Sequence, residues 1–322
     1  MRRRSFIPTD VGTNEPTEVT ELCLGTWGLC SEGYASTGFS ADGGADAVID
    51  RALQLGIGLF DTSDAYEKGG MLERLGRHLA FAKSASVVVR VGVNRSQDAR
   101  KDFEPAYVRE AVQRAGERLK RSRVDVVLLH NPTVSTVDRA EATGVLEEMR
   151  MAGMLGAWGV SAGNREVAKA AMDAGAKVVS LVYNVFHPFD LNAIAADVAM
   201  RGVAVLAHSV LAYGLLAAHW GPNHRFDEGD HRNCRWSAST FRLRIEQLSV
   251  VRDLVGGDVL TARAAALRFV LSNRLVSSVV LGPRNPSQLD QLVREAGHGP
   301  PYLSDKAISE LPSKLQAVGI HA

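Results

Sequence analysis

The segment Phe60-Asp61-Thr62-Ser63-Asp64-Ala65-Tyr66 places an acid and a phenol five residues apart, directly after a short apolar run. That run, residues 57–60, predicts a buried strand that ends at Asp61. The polar residues after it predict a loop that carries Tyr66, and a helical segment begins at Gly70. This order is typical of a site at the carboxyl end of a strand, in a barrel or in an open parallel sheet.

The same alternation of short apolar runs and segments with helical spacing continues along the chain. It predicts eight strands, at 22–25, 57–61, 86–91, 124–129, 156–160, 178–182, 203–207 and 276–281. It predicts helices at 46–55, 72–81, 107–119, 143–151, 166–174, 192–200, 241–255, 261–271 and 288–295, with an extra C-terminal helix at 305–318. We therefore expect an α/β fold, a single (β/α)8 TIM barrel domain over residues 1–322. The alternative is a doubly wound open sheet, but its Gly-x-Gly-x-x-Gly turn is absent from the sequence.

Composition limits the classes of partner and the compartment. A formal net charge of +1 and a pI near 7.8 show neither a basic nucleic-acid surface nor an acidic tail, so we expect a small-molecule ligand. The three cysteines are not spaced as metal ligands are, and an odd number argues against a disulfide framework. Both observations favour a reducing cytoplasm and a protein without metal. The N-terminal Arg2-Arg3-Arg4 precedes polar residues rather than the apolar core of an export signal. No apolar run approaches the ~18 residues that a membrane span needs.

Two long loops interrupt the regular pattern, at residues 28–44 and 208–240. Loops of this length in compact domains usually bind a ligand or are disordered. Both are expected on the carboxyl-terminal face of the barrel, where they would wall a substrate site. Trp27, Trp220 and Trp236 are the candidate substrate contacts, although such aromatic side chains can equally anchor a loop onto the barrel.

Polar residues close several of the predicted strands, and a barrel would bring them together. Asp61 ends the second strand with Tyr66 beyond it, Arg90 lies on the third, His130 follows the fourth and Ser161 follows the fifth. A cation near a phenol lowers the pKa of that phenol, an acid holds the cation, and an imidazole can donate a hydrogen bond to a substrate oxygen. This set suits proton transfer to a carbonyl that receives a hydride from a separate donor. Taken singly, each residue could instead cap a turn, line a rim or fill the core.

Five motifs carry a resemblance to the aldo-keto reductase superfamily over residues 22–292. They are Leu24-Gly25-Thr26-Trp27, the opening segment, Leu128-Leu129-His130-Asn131-Pro132, Gly159-Val160-Ser161, and the run from Leu281-Gly282-Pro283-Arg284 to Asn285-Pro286-Ser287-Gln288-Leu289. The resemblance implies a (β/α)8 barrel that binds NADP, or NAD, and interconverts carbonyls and alcohols. It implies that Tyr66 donates the proton, that His130 orients the carbonyl and that Asp61 is the buried acid. The implied cofactor-binding residues are Thr26, Trp27, Ser161, Ser180, His208, Ser209, Leu211, Gly282, Arg284 and Gln288.

The sequence is similar to a bacterial-type member of that family, but it departs from the family pattern at the third strand. The family has a lysine where this chain has Arg90, and a forked guanidinium need not place its charge where an ammonium would. Arg90 could pair with Asp61 through two hydrogen bonds and leave Tyr66 less assisted. Lys68, in the polar turn after Tyr66, is expected to face solvent. Where the family has an asparagine and a glutamine near the nicotinamide, this chain has Ala162 and Ser180. At the adenosine end it has Arg284, whose guanidinium favours NADP over NAD.

Three functions follow from these residues. The first is an NADP-dependent reductase of an aldehyde or ketone, or the reverse alcohol dehydrogenase. The second is a nucleotide-binding barrel without turnover that acts as a sensor or subunit. The third is a redox-neutral isomerase or dehydratase that uses Tyr66 and His130 as acid and base. The sequence indicates neither the substrate nor the oligomeric state.

Overall fold

The computed structural model describes residues 1–6, 18–30, 44–82, 84–94 and 100–321. Most of the predicted loop at 28–44 therefore lies outside the described residues. Within the described ranges, no helix combines the length and apolar character that crossing a membrane requires. No cluster of His, Cys, Asp and Glu in those ranges is arranged to hold a metal ion.

Eight parallel strands close into a barrel, which confirms the predicted (β/α)8 fold. In their order around the barrel they are β3 (Leu22–Gly25), β4 (Leu59–Ser63), β5 (Ser86–Val91), β8 (Val124–His130), β9 (Leu155–Ser161), β10 (Val178–Val182), β11 (Ala204–His208) and β12 (Val276–Leu281). Two short antiparallel hairpins lie outside the barrel, β1 (Arg3–Ser5) with β2 (Glu18–Thr20) and β6 (Val93–Asn94) with β7 (Arg100–Lys101).

Helices surround the barrel and mostly follow the strands one by one. They are α1 (Gly44–Gln54), α2 (Gly70–His78), α3 (Pro105–Leu119), α4 (Val134–Asp138), α5 (Glu141–Met151), α6 (Arg165–Asp173), α7 (Phe189–Ala193), α8 (Ala195–Arg201), α9 (Ala238–Gln247), α10 (Ser249–Arg252), α11 (Ala262–Ser272), α12 (Pro286–Ala296) and α13 (Asp305–Ala317). The last of these is the extra C-terminal helix that the sequence predicts.

Several predicted elements have other bounds in the structure, and the predicted helix at 241–255 is two helices, α9 and α10, that meet at Leu248. The second barrel strand runs from Leu59 to Ser63, so it begins and ends two residues later than predicted, and its last residues, Thr62 and Ser63, are buried although they are polar. The predicted helix at 192–200 is two short helices, α7 and α8, that meet at Ile194. The loop 208–240 contains a 3-10 helix, Ala212–Ala217, and ends where α9 begins.

The interior of the barrel is apolar below the level of Asp61. Its side chains include Leu59, Val88 and Leu128, and Phe6 and Val19 at the edge of the β1–β2 hairpin belong to the same buried cluster. The hairpin therefore covers the amino-terminal end of the barrel. The polar interior residues lie near the opposite end, where the strands finish.

Strand register brings those polar residues to the carboxyl-terminal end of the barrel. Ser63 pairs with Arg90 between β4 and β5, and His130 and Ser180 each pair with Ser161, from β8 and β10. Gly159 sits below Ser161 at a close approach of β9 and β10, where a Cβ atom would overlap the carbonyl oxygen of Val178. A side chain at that position would push the two strands apart.

Candidate active site

Asp61 and Arg90 form a buried ion pair at the carboxyl-terminal end of the barrel. Arg90 Nε donates to both carboxylate oxygens of Asp61 at 3.1 Å, and Arg90 Nη2 donates to Oδ2 at 3.0 Å. Arg90 is only 6% exposed and Asp61 only 4%. The forked contact that the sequence allowed is therefore present. Charge-assisted bonds of this kind are stronger and more directional than those a single ammonium makes.

The other edge of the Arg90 guanidinium contacts two serines on β9 and β10. Nη1 donates to Ser161 Oγ at 2.7 Å, and Nη2 donates to Ser180 Oγ at 3.1 Å. The resemblance assigned both serines to the nicotinamide, but the structure places their oxygen atoms against Arg90. Because a hydroxyl both accepts and donates, each serine keeps its own proton for a second partner.

The charge on Arg90 is stable in this surrounding. Burial lowers the pKa of Arg90, but the carboxylate of Asp61 and the phenol of Tyr66 raise it, and the result lies above the ordinary value. A guanidinium does not lose its proton in proteins. Arg90 therefore keeps its positive charge at neutral pH, beside the carboxyl group of Asp61.

Tyr66 lies on a 3-10 segment, Tyr66–Gly69, that follows β4. Backbone and side-chain bonds to the carbonyl of Arg90, from Asp64 N at 3.2 Å and Ser63 Oγ at 2.9 Å, hold the turn that carries it. The phenol is 8% exposed and packs on Trp27, with 5.2 Å between ring centroids. Burial raises the pKa of Tyr66, and the charge of Arg90 only partly offsets that effect. Lys68, in the same segment, is exposed as expected.

His130 ends β8 and presents a neutral imidazole. Burial, followed by the positive charges of Arg90 and Lys101, lowers its pKa to about 2. Its Nδ1 atom is buried and has no hydrogen-bond partner among the described residues. Lys101, on the β6–β7 hairpin, donates from Nζ to the backbone oxygen of His130 at 2.6 Å and so fixes the end of the strand.

His208 ends β11 on the other side of the site. Burial and then Arg90 lower its pKa to about 3, so it too is neutral. Its Nδ1 atom lies 3.1 Å from Ser209 Oγ. Asn184 donates to the backbone oxygen of Ser209 at 2.9 Å, which holds this residue in a left-handed conformation with φ of 54°.

The residues predicted at the adenosine end lie together where α12 begins. Asn285 caps the helix by accepting from Gln288 N at 2.8 Å, and Gln288 Oε1 accepts from the backbone nitrogen of Arg284 at 2.9 Å. These contacts fold the loop after β12 so that Gly282, Arg284 and Gln288 line a common surface.

One cleft of about 830 Å³ joins the two ends of this site. Its lining includes the four candidate catalytic residues and most of the predicted cofactor residues, namely Asp61, Tyr66, Arg90, His130, Trp27, His208, Ser209, Leu211, Gly282, Arg284 and Gln288. Thr26, Ser161 and Ser180 lie beneath the lining. Thr26 is fully buried and donates to the carbonyl oxygen of Asp61 through both its backbone nitrogen and its hydroxyl.

The loop after β11 forms one wall of the cleft through an aromatic cluster of Trp220, Phe226, Trp236 and Phe241. Ring centroids within this cluster lie 4.9 to 6.2 Å apart. Trp220 lines the cleft, whereas Trp236 packs behind Tyr213 at 6.3 Å. Of the three predicted substrate contacts, Trp27 and Trp220 are thus at the cleft and Trp236 anchors the loop.

Sequence reasoning missed most of the cleft residues on this loop, among them Tyr213, His231 and Arg235. No pattern in a 33-residue loop shows which side chains turn inward. The tryptophans could be proposed as substrate contacts only because they are large and aromatic. Asp64 was missed as well, although it belongs to the opening segment. Burial raises its pKa to about 6, against the smaller effects of Ser63 and Arg114.

Comparison with known proteins agrees with this geometry. The aldo/keto reductase family model matches residues 21–313, and the chain therefore belongs to the aldo/keto reductase family. An uncharacterized oxidoreductase of Mycobacterium tuberculosis is 29% identical over 217 residues, which cover 65% of this chain and 63% of that protein. The chain thus spans less than two thirds of the length of the mycobacterial relatives that it matches.

Two further proteins match over more of their length. D-threo-aldose 1-dehydrogenase of a Pseudomonas species is 25% identical over 280 residues, or 78% of this chain and 82% of that protein. The solved structure of a glycerol dehydrogenase from Gluconobacter oxydans superposes with a TM-score of 0.80 at 23% identity, and covers 99% of this chain and 97% of that chain. At this level of identity the structural likeness shows a shared barrel fold.

Proposed function

We propose that the protein is an NADP-dependent oxidoreductase that reduces a small aldehyde or ketone to an alcohol, or catalyses the reverse reaction. The observation that carries the proposal is that Tyr66, His130 and the Arg90–Asp61 pair line the same cleft as Arg284 and Gln288. Relatives named as oxidoreductases and dehydrogenases support it. A reducing cytoplasm is the compartment we propose, on the odd number of cysteines.

Tyr66 acts as the proton donor in this proposal. Its pKa lies above the ordinary value because it is buried, so the phenol is protonated at neutral pH. The positive charge of Arg90 stabilises the phenolate that remains after the proton has moved to the carbonyl oxygen. Asp61 holds that charge in place through its three contacts with Arg90.

His130 orients the carbonyl. Since its imidazole is neutral, one ring nitrogen donates and the other accepts a hydrogen bond. The buried Nδ1 atom is without a partner among the described residues, so we assign the proton to Nε2, where it donates to the substrate oxygen. A preorganised donor of this kind stabilises the charge that develops on the oxygen.

The residues present fit a nicotinamide dinucleotide. Arg284 and Gln288 would hold the phosphate at the adenosine end, which favours NADP over NAD, and His208 would lie against the nicotinamide. When bound, NADPH supplies the hydride for the reduction. The hydroxyls of Ser161 and Ser180 accept from Arg90 beneath the lining and so hold its guanidinium at the cleft.

The test is a fluorescence titration of the purified protein with NADPH and with NADH, followed by NADPH oxidation with a panel of aldehydes and ketones. We expect preference for NADPH, weakened in Arg284→Ala and retained in Arg294→Ala, which changes an exposed arginine within α12. We expect turnover that is lost in Tyr66→Phe and retained in Tyr183→Phe, which removes a buried phenol outside the cleft that bonds to Asn273. Tight NADPH binding without oxidation by any carbonyl would contradict the proposal.

A second function has one observation in its favour. Among the described residues, the hydrogen bonds of the Arg90 side chain go to Asp61, Ser161 and Ser180, and Tyr66 receives none of them. This arrangement also suits a barrel that binds the nucleotide without turnover and reports its presence to a partner. In that case NADPH would bind equally well to wild type and Tyr66→Phe, and both would be kinetically silent.

A further inference from the structure

The cleft carries more positive than negative side chains. Six arginines and three aspartates line it: Arg90, Arg225, Arg232, Arg235, Arg263 and Arg284, with Asp61, Asp227 and Asp230. Ion pairs account for half of the arginines, because Arg90 pairs with Asp61, Arg232 with Asp230 and Arg263 with Glu295. With six arginines against three aspartates, the lining favours a ligand with negative groups.

Arg235 is held in place by an aromatic ring rather than by a carboxylate. Its guanidinium carbon lies 3.5 Å from the ring centroid of Tyr213, which is a stacked cation–π contact. Among the residues that the structure describes, no acidic side chain lies within ion-pair distance of it. Stacking occupies the face of a guanidinium and leaves its N–H edge available for a forked contact with a carboxylate or phosphate.

A continuous series of rings connects Arg235 with the proton donor. Tyr66 packs on Trp27 at 5.2 Å, Trp27 on His231 at 6.4 Å, and His231 on Tyr213 at 5.7 Å between centroids. Burial lowers the pKa of His231, and the charge of Arg235 lowers it further, which places that charge beside the middle of the series. Arg235 therefore stands on the same wall of the cleft as Tyr66.

We propose that Arg235 binds an anionic group of the substrate, so that the protein acts on carbonyl compounds that carry a carboxylate or phosphate remote from the reacting carbon. This inference rests on the proposed reductase function and adds the substrate class. The reacting carbonyl lies at Tyr66 and His130, the body of the molecule lies along the Trp27–His231–Tyr213 wall, and the anion reaches the N–H edge of Arg235. The side chain is exposed, so the anion binds near the mouth.

The phosphates of the cofactor are the competing partner for Arg235. They are better matched by Arg284, at the start of α12, and by Arg225, which adjoins His224 and Phe226. The charges of Arg263 and Arg284 act on His219, which places that part of the loop at the adenosine end. Trp220 contacts His219 and His224 in that part of the loop, whereas Arg235 stacks on Tyr213. The experiment below distinguishes the two partners.

The probes are two aromatic aldehydes of different length, 4-formylbenzoate and 4'-formylbiphenyl-4-carboxylate, each matched with its neutral methyl ester. Binding to the protein loaded with NADP⁺ is followed by isothermal titration calorimetry, and turnover is followed by NADPH oxidation. Wild type, Arg235→Ala, Arg235→Lys and Arg242→Ala are compared. Arg242 is an exposed arginine of α9 that contacts Asn223 outside the cleft lining, and its variant serves as the matched control.

We expect wild type to bind at least one acid about tenfold or more tightly than its ester, because only the acid can make a charge-assisted bidentate contact with the guanidinium. Arg235→Ala abolishes this discrimination, Arg235→Lys restores part of it, Arg242→Ala keeps it, and the Kd for NADPH is unchanged in all three. Equal binding of acid and ester by wild type overturns the inference, as does weaker NADPH binding in Arg235→Ala with discrimination intact. If acids bind selectively but no aldehyde is reduced, the substrate site stands and the reductase proposal falls. If acid and ester are both reduced with equal KM, the reductase proposal stands and the anion site falls.

Discussion

Arg90 donates a hydrogen bond to Ser180 across the interior of the barrel, from Nη2 to Oγ at 3.1 Å. The two residues lie on β5 and β10, with β8 and β9 between them. With its other bonds, to Asp61 and Ser161, one guanidinium thus connects four strands at a single level of the barrel. A lysine carries one nitrogen on a flexible stem and has no such geometry. The site is therefore built around an arginine.

Arg90→Lys is expected to impair the protein. The ammonium of the variant leaves at least one buried acceptor among Asp61, Ser161 and Ser180 without its donor, which costs about 1–3 kcal/mol of the free energy of unfolding. We expect kcat for carbonyl reduction to fall as well, because the charge beside Tyr66 shifts. Thermal unfolding and steady-state kinetics measure the two effects. Arg150→Lys, in a surface pair with Glu147, is the control and should change neither. A rise in kcat would show that arginine merely weakens a site designed for lysine.

Ser180→Ala tests whether the serine acts through Arg90. Removing the hydroxyl should lower the free energy of unfolding by about 1 kcal/mol in the wild-type background and by less in Arg90→Lys, which lacks the Nη2 donor to Ser180. Ser278→Ala removes another fully buried hydroxyl, one that donates to the carbonyl of Thr20. Its cost should be the same in both backgrounds. Additive costs for Ser180→Ala would show that the two residues are independent.

Asp64→Asn is expected to stabilise the protein at neutral pH. Burial raises the pKa of Asp64 to about 6 in the folded state from an ordinary value of 3.8, so the folded protein binds this proton more tightly than the unfolded chain does. The associated stability is present below about pH 4 and is lost as pH rises through 6, and it amounts to roughly 1–3 kcal/mol. Asparagine resembles the protonated acid and should restore it.

The measurement is chemical denaturation of wild type and Asp64→Asn at pH 4 and at pH 7. The variant should gain stability over wild type at pH 7 and little at pH 4. Asp138→Asn, which changes an exposed aspartate of α4, should match wild type at both values. An Asp64→Asn variant that is less stable than wild type at pH 7 would mean that the carboxylate is charged and satisfied in the folded protein.

The two directions of the reaction should respond differently to pH. Because the pKa of Tyr66 is raised above its ordinary value and His130 is neutral, carbonyl reduction should vary little between about pH 7 and pH 9. Alcohol oxidation needs the phenolate, whose small fraction grows with pH, so its rate should rise almost tenfold per pH unit over the same range. Rate profiles in both directions with NADPH and NADP⁺ measure this. A reduction rate that declines within this window would show that Arg90 outweighs burial at Tyr66.

Much of the barrel could be predicted because its strands are short runs of buried apolar residues. The predicted bounds of β5, β10 and β12 coincide with the structure, since Val, Leu and Ile mark strands that are buried on both faces. The β1–β2 hairpin was missed. Its strands are three residues long, rich in charge, and separated by twelve residues, so their pairing depends on the barrel that they cover.

The sequence predicted which residues at the strand ends lie together and allowed the pair of Arg90 with Asp61, but it did not predict the other contacts of Arg90. Asp61, Tyr66, Arg90 and His130 could be found because each follows or ends an apolar strand. The roles of Ser161 and Ser180 as acceptors for Arg90 depend on the register of β9 and β10, which no local pattern contains. The position of Arg235 on Tyr213 likewise depends on the fold of a loop that has no regular period.

Because the hairpin of β1 and β2 closes one end of the barrel, the buried pair of Arg90 with Asp61 and the exposed Arg235 should respond differently to added salt. The hairpin covers the lower end of the barrel, and apolar side chains such as Val88 and Leu128 fill the interior below Arg90, so dissolved ions approach only from the cleft side. At physiological ionic strength the screening length is about 8 Å, and it acts on exposed charges far more than on buried ones. Added salt should weaken the attraction of Arg235 for an anion while the pair of Arg90 and Asp61 keeps its strength. A change in ionic strength should thus alter the affinity for an anionic substrate while the charges beside Tyr66 stay the same.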